Sequence, residues 1–279
     1  VAGVDRADGM DEIERIAAAA EAHDGAAPLD EATWRTLRRH PERARHRMVD
    51  GGFALVVGRE LTVVVDPPAR GAGVASGLVS AELAEAGGGE LLAWSHGNHP
   101  AAAALAAAYG FERVRDLWVM RRAMAEPLPG LVVPDGVTVR SYVDTDADEV
   151  VRVNAAAFAH HPEQGAMDRA ELAERMAEAW FDPAGLVVAE RDGSLVGFHW
   201  TKQHSPDLGE VYVVGVDPVA QGQGLGRVVT LAGLHHLAGL GVGEVLLYVE
   251  SDNEAAVATY SRLGFGHAAL DTHVQYRRG

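Results

Sequence analysis

Cysteine is absent from all 279 residues, which removes disulfides, thiolate metal sites and a cysteine nucleophile from consideration. Basic residues are scarce: 24 Lys and Arg against 40 Asp and Glu leave a formal charge of −16. That balance argues against nucleic acid or an anionic membrane as a partner and suits a cationic substrate, such as an amine. No apolar run approaches the roughly 18 residues of a membrane span. The first fourteen residues carry Asp5, Asp8, Asp11, Glu12 and Glu14, so no signal peptide is read there. His160-His161 and His235-His236 are adjacent pairs whose members diverge on a helix, and no His-x-x-x-His with carboxylate support occurs. A cytoplasmic monomer is expected, without a metal and without a nucleic-acid or membrane partner.

What is present is concentrated in residues 209–265. The run Val211 to Val216, closed by Asp217-Pro218, predicts a strand. Leu225, Val228, Val229, Leu231 and Leu234 are spaced for one helix face. Between them stands Gln221-x-x-Gly224-x-Gly226, where a helix begins and its first backbone amides lack partners. Such amides, with the positive end of the helix dipole, form an anion site. The turn alone is equally compatible with a ligand-free glycine loop. It is not a dinucleotide fingerprint, because Arg227 stands where the last glycine should be, nor a P-loop, because no Gly-Lys-Ser/Thr follows.

The chain reads as a repeat. Helices are predicted at Met10 to Ala22, Glu31 to Arg39 (with Asp30 able to cap it), Gly71 to Ala86 and Pro100 to Tyr109. Strands are predicted at Gly52 to Val57, Glu60 to Asp66, Glu90 to Trp94 and Phe111 to Met124. A stretch rich in proline and glycine at 125–136 reads as a linker. Strands from Val137, at 185–190 and at 194–202 follow, with helices at about 147–158 and 168–179. Val63-Val64-Val65-Asp66-Pro67 echoes Val214-Gly215-Val216-Asp217-Pro218, Gly71-Ala72-Gly73 echoes Gly224-Leu225-Gly226, and Gly110-Phe111 echoes Gly264-Phe265. Two tandem domains are expected, at 1–125 and 137–279 with 126–136 between them. The first copy departs from the second. Aligned on those glycines, its turn is shorter and Pro68 stands at Gln221. Ala106 stands at Tyr260. Only Gly58-Arg59 separates its last two strands, as if a hairpin strand were missing.

The order Val-Gly-Val-Asp-Pro, Gln-x-x-Gly-x-Gly, Asn253-x-x-Ala256, and Tyr260 before Leu263-Gly264-Phe265 resembles the GCN5-related N-acetyltransferase (GNAT) superfamily. The resemblance implies an α/β (α+β) fold: two tandem acyl-CoA N-acyltransferase domains, each a mixed, mostly antiparallel sheet with flanking helices. The first would be degenerate and the second catalytic. It also implies acetyl-coenzyme A as co-substrate, its pyrophosphate on the glycine turn and its pantetheine arm along a splayed strand. Glu210 lies four residues before Val214, and even spacing places both on one sheet face. By residue type alone Glu210 is an ordinary solvent carboxylate; the resemblance makes it the base that takes the amine proton. Tyr260 would protonate the departing thiolate and Asn253 would touch the pantetheine arm, or Asn253 caps a helix.

Residues Gly209 to Val216, Leu247 to Asn253 and His161-Pro162-Glu163-Gln164-Gly165 narrow the resemblance to the tandem-domain mycothiol synthases of actinobacteria. These acetylate the cysteinyl amine of desacetylmycothiol, giving mycothiol and coenzyme A. The resemblance carries substrate contacts onto Glu31, which would reach in from the first domain, and onto Glu163, Lys202, Glu210 and Tyr248. Taken singly, each is a plain surface or strand residue. Coenzyme A contacts fall on Val214, Gly215 and Val216; on Gln221, Gly222, Gln223, Gly224, Leu225, Gly226 and Arg227; and on Asn253, Glu254, Ala255, Ala256, Val257 and Ala258. A second coenzyme site would use Val63, Val64 and Val65 with Arg70, Gly71, Ala72, Gly73, Val74 and Ala75. Another amine acceptor, such as an aminoglycoside or a protein amino terminus, stays open, as does a non-catalytic acyl-coenzyme A sensor.

Overall fold

The computed structural model describes residues 6–160 and 162–279, with backbone alone for 6–8, 162 and 163. Two compact units emerge. The first holds α1 (Arg6–Asp24), α2 (Glu31–Arg39), β1 (Ala44–Val49), β2 (Gly52–Val57), β3 (Glu60–Val65), α3 (Val74–Ala86), β4 (Leu91–Ser95), α4 (Pro100–Ala108) and the start of β5 (Glu112–Ala123). The second holds β6 (Val137–Ser141), α5 (Ala147–Ala157), α6 (Pro162–Gly165), α7 (Arg169–Met176), β7 (Leu186–Arg191), β8 (Ser194–Ser205), β9 (Leu208–Val216), α8 (Leu225–Gly239), most of β10 (Glu244–Glu250) and α9 (Glu254–Arg262). The final strand, β11 (Gly266–Arg278), returns to the first unit from Ala268, where it pairs antiparallel with β4 from Val274↔Ser95 to Arg278↔Leu91. The units are therefore not the continuous segments 1–125 and 137–279. Val119 to Ala123 go with the second, and the chain's last residues with the first.

In the first unit β1, β2 and β3 are antiparallel and β3 runs parallel to β4. Alternation along β2 gives each face its own core. Phe53 and Leu55 meet Ile13, Ile16, Ala17 and Ala20 of α1, while Ala54 and Val56 meet Leu78 of α3. Gly58-Arg59 is a complete two-residue hairpin, Val57↔Glu60, with Gly58 at φ 60°. Glycine in that first central position is what a type II′ turn requires. No strand is cut away at this point; among the described residues, the strand without a counterpart is the first of the second unit, β6. β1 escaped the sequence reading because Arg45, His46 and Arg47 break its apolar pattern. Arg45 and Arg47 find their counter-charges on α3, where both pair with the buried Glu82 and with Glu85.

In the second unit β6 to β9 are successively antiparallel and β10 is parallel to β9. Asp192 and Gly193, both left-handed at φ 51° and 77°, turn β7 into β8 as the Asp-Gly dipeptide predicts. Val150 and Val153 of α5 and Leu172 of α7 cover one face with Phe198 and Trp200, while Leu225 and Val229 of α8 cover the other with Ala189 and Val196.

His199 sits wholly buried between β8 and α8, with Nδ1 3.0 Å from the Val229 carbonyl oxygen. Burial holds its pKa down at about 4, so the ring stays neutral. A proton then binds the unfolded chain more readily than the folded one. Stability should fall as pH drops from about 6.5 towards 4, by about 3 kcal/mol in total; a His199→Leu variant should lose that component in urea titrations across the range. Gly233 faces the same ring, and a Cβ there would lie 2.1 Å from His199 Nδ1. Alanine favours a helix by about 1 kcal/mol, but overpacking costs about 1–3 kcal/mol, so Gly233→Ala should lower the urea midpoint.

Candidate active site

β9 and β10 pair from Leu208↔Glu244 to Val211↔Leu247 and then part. Past that point one edge of β9 is held by β8 and the other is open. Asp217 N–H donates to the Val196 carbonyl, and antiparallel pairs alternate between bonded and non-bonded. Gly215 and Val213 therefore turn their peptide groups to β8, whereas Val214 and Val216 turn theirs to the open edge. The Val216 carbonyl accepts from Gln221 Nε2 at 3.2 Å on that side. Gly215 is glycine for a different reason: a Cβ would lie 2.6 Å from the Phe198 ring.

The turn that follows is pinned by an ion pair. Asp217, 6% exposed, accepts from Arg152 of α5 at 2.6 Å and from the Val219 amide at 3.1 Å. Arg152 holds the Asp217 carboxyl below the ordinary carboxylate range. Gly222 and Gly224 are left-handed (φ 76° and 77°), and added side chains would meet open space, so backbone conformation alone selects glycine there. Gly224 caps α8, and the amides of Leu225, Gly226 and Arg227 precede the first helical bond, Val228 N–H to Gly224 O. Such amides attract anions. Asn253 caps α9 by accepting from Ala256 N–H at 3.1 Å.

The first unit repeats this construction with a constant offset, so the turn is not shortened. Asp66, Arg70, Gly71 and Gly73 stand where Asp217, Gln221, Gly222 and Gly224 stand; Gly71 and Gly73 are left-handed and Gly73 caps α3. Arg70, not Pro68, occupies the glutamine position, and its Nε donates to the Val65 carbonyl at 3.2 Å. The glycine alignment drawn from sequence slipped by two residues because the second half offers two overlapping Gly-x-Gly choices, Gly222/Gly224 and Gly224/Gly226, against the single Gly71/Gly73 of the first. Arg15 of α1 pins Asp66 at 2.8 Å, as Arg152 pins Asp217, and each arginine also pairs with the glutamate three residues before it, Glu12 or Glu149. The matching signal, Glu-x-x-Arg in the first helix of each half, was legible in sequence and went unread. β3 parts from β4 after Leu61↔Ala93, opening a cleft of about 460 Å³ lined by Val63, Val65, Gly73, Trp94 and Leu105 among others.

Of the predicted acceptor residues, the second unit brings Glu210 and Lys202 together as direct cross-strand partners. They are 5% and 9% exposed. A bulge changes the predicted facing. Trp200 pairs with Val213 and Thr201 with Val211, leaving Tyr212 as an extra residue on β9. Even spacing across it no longer preserves side, so Val214 packs with α8 while Glu210 shares the other face with Lys202. Lys202 Nζ lies 4.9 Å from the Trp180 ring centre and 5.6 Å from that of Tyr212, a cation–π arrangement. His204 Nε2 is 2.6 Å from Glu210 Oε2. Trp180, His204 and Tyr212 were missed, although Lys202, the only lysine in the sequence, marks their neighbourhood. Tyr248, 43% exposed, follows the last paired residue of β10. Tyr260 of α9 stacks edge-on against Phe265 at 6.0 Å, and desolvation pushes its phenol up to about 12. Glu31 opens α2 in the first unit. Glu163 lies in α6, its side chain outside the described residues, as is all of His161.

Residues 154–265 match the acetyltransferase (GNAT) family. A mycothiol acetyltransferase of a Nocardioides species is 63% identical, over 98% of both chains; one of Nocardia farcinica is 48% identical, over 94% of this chain and 92% of the other. The chain belongs to the mycothiol acetyltransferase family. Solved structures agree in fold. A tandem GNAT protein from the clavulanic acid biosynthesis pathway superposes with TM-score 0.72 at 21% identity over 99% and 96% of the two chains, and a GCN5-related N-acetyltransferase from Sphaerobacter thermophilus with 0.71 at 22% over 95% and 91%. Among the described residues of this mycothiol acetyltransferase family member, no helix is long and apolar enough to cross a membrane. Nor is any group of three or more His, Asp or Glu placed to hold a metal ion.

The corner pins should matter equally to fold and turn. Arg152→Ala leaves a buried carboxylate without its partner and should cost about 1–3 kcal/mol, read as a shift in urea midpoint. The same change at Arg15 should act on the first unit's turn.

Proposed function

We propose that the chain transfers an acetyl group from acetyl-coenzyme A to the cysteinyl amine of desacetylmycothiol, forming mycothiol and coenzyme A. The observation that carries this reading is the parting of β9 from β10 right after Val211, one residue beyond the buried carboxylate of Glu210. The donor set suits acetyl-coenzyme A. Left-handed glycines face open space, three amides precede the first bond of α8, and the edge groups of Val214 and Val216 complement a chain of amides. Residues 221–227 would hold the pyrophosphate and 214–216 the pantetheine arm, with α9 beyond Asn253 alongside. The co-substrate supplies the acetyl group as an activated thioester.

Glu210 accepts a proton from the substrate ammonium, exposing the nitrogen lone pair that attacks. Lys202 and Tyr248 contribute polar contacts for a hydroxyl-rich acceptor. Tyr260, kept a phenol by desolvation, holds a proton for the departing sulfur. Ala106 occupies the Tyr260 position of the first unit: Phe111 N–H bonds to Ala106 O as Phe265 N–H bonds to Tyr260 O. The first unit therefore offers a coenzyme-sized cleft without that acid, and its role is binding.

Glu210→Gln should reduce kcat by about 10²- to 10⁴-fold, measured as free coenzyme thiol released in the presence of desacetylmycothiol. Tyr260→Phe should slow the same assay with little change in calorimetric affinity for acetyl-coenzyme A. Parent rates in both variants would remove the two assignments. Turnover with aminoglycosides or peptide amino termini, and none with desacetylmycothiol, would replace the substrate. Coenzyme binding without thiol release for any amine would make the protein a sensor.

A further inference from the structure

Glu210 sits between two breaks in the β8–β9 ladder. On one side Tyr212 is the extra residue of β9; on the other Gln203 pairs with Gly209 and Ser205 with Leu208, leaving His204 as the extra residue of β8. Bulges re-aim side chains and are common beside active sites. Here the second bulge brings His204 Nε2 to 2.6 Å from Glu210 Oε2. The carboxylate side chain is 6% accessible and the imidazole 31%. The pair thus runs from a buried oxygen to a ring that reaches water.

We propose that His204 is the proton exit of the reaction, carrying to solvent the proton that Glu210 receives at each turnover. The inference rests on the reading of Glu210 as base. One acetylation of the ammonium breaks two N–H bonds and the thioester C–S bond and forms one C–N and one S–H bond; the first proton goes to Glu210 Oε, and the second replaces the one Tyr260 gives to the departing sulfur. Before the next cycle the first proton passes from Oε to His204 Nε2, and the ring gives up a proton from Nδ1 to water, restoring the carboxylate; proton exchange with water then returns the ring to the tautomer with Nε2 free to accept. Imidazole is the side chain able to take and release a proton near neutral pH, through two distinct nitrogens. A carboxylate covered by its substrate has no such route of its own.

The surrounding elements leave the pair to this task. Lys202 from β8 is the cross-strand neighbour of Glu210, and its ammonium is directed to Trp180 and Tyr212. β10 sets uncharged Leu246 opposite Glu210. Leu237 of α8 lies against Gly209. Arg175 of α7 pairs with Glu171, and His236 of α8 with Asp182. Asp207, in the turn between the strands, donates its backbone N–H to Ser205 Oγ.

Two variants test the inference. His204→Ala removes the ring; His204→Gln keeps a hydrogen-bond donor for Glu210 but cannot carry a proton. Both should lower kcat about 10- to 100-fold, with KM and acetyl-coenzyme A affinity near parent values. Added imidazole should restore turnover of the alanine variant in proportion to its concentration, and the solvent deuterium effect on kcat should grow. A glutamine variant that turns over like the parent would reduce His204 to a holder of Glu210 and overturn the inference. So would an alanine variant that imidazole leaves slow. A slow Glu210→Gln alongside either result rejects the exit alone, whereas a parent-like Glu210→Gln rejects the base assignment beneath it.

Discussion

Parallel strands that pair briefly and then part impose a demand on everything near them. Backbone N–H and C=O groups along a released edge must be met by water, by side chains or by a ligand. In β9 the released groups belong to Val214 and Val216, and the Val216 carbonyl is met from within by Gln221. The open edge is therefore extended and polar, with alternating donors and acceptors. It leads directly into helix-start amides that favour negative charge. A ligand with amides at one end and phosphates at the other satisfies the edge and the turn together. On the proposed reading an acidic chain would bind an anionic co-substrate in this way: main-chain dipoles make the attraction at one place, without net positive charge.

Holding that edge open requires the end of the strand to be fixed. The work falls to one ion pair per unit, Arg15 with Asp66 and Arg152 with Asp217. Each arginine reaches from the helix that covers one sheet face, and each is steadied by a glutamate one helical turn earlier. The aspartates also end their strands in the same way, with the Asp66 amide bonded to Gly51 O and the Asp217 amide to Val196 O. The two copies thus share the construction of their strand ends and turns. They diverge where the acceptor would sit. β2 and β3 keep one unbroken register, whereas β8 and β9 carry two bulges.

That division explains what the sequence could convey. Apolar periodicity fixed most helices and strands, because Val150 and Val153 or Phe53 and Leu55 bury as their spacing requires. The Asp192-Gly193 turn was legible because backbone conformation selects its residues, whereas the equally tight Gly58-Arg59 hairpin was taken for the scar of a missing strand. β1 was not, since its arginines acquire meaning only from Glu82 and Glu85 some 35 residues away. The alignment of the two turns failed because repeated glycines admit more than one pairing, and only left-handed φ identifies which are equivalent. The facing of Glu210 failed because a bulge adds one residue without leaving a local signature. Contacts that depend on the bulges, His204 on Glu210 above all, follow from register and could not be read from spacing.

The acceptor side is where stability was set aside. A lysine and a glutamate placed directly opposite one another and almost fully buried gain little over apolar residues of similar size, because desolvation cancels most of their attraction. The rest of the chain uses arginine at every other basic position. Arginine at 202 would bring a broad planar fork, where lysine offers a compact point charge that fits between Trp180 and Tyr212. With that charge engaged by the rings, one oxygen of Glu210 is occupied by His204. Under the proposed roles the carboxylate would release its proton on that side and meet an incoming ammonium on the other. A buried acid of this kind adds little stability over a leucine, and the proposed reading gives it a use, as the base that meets the amine.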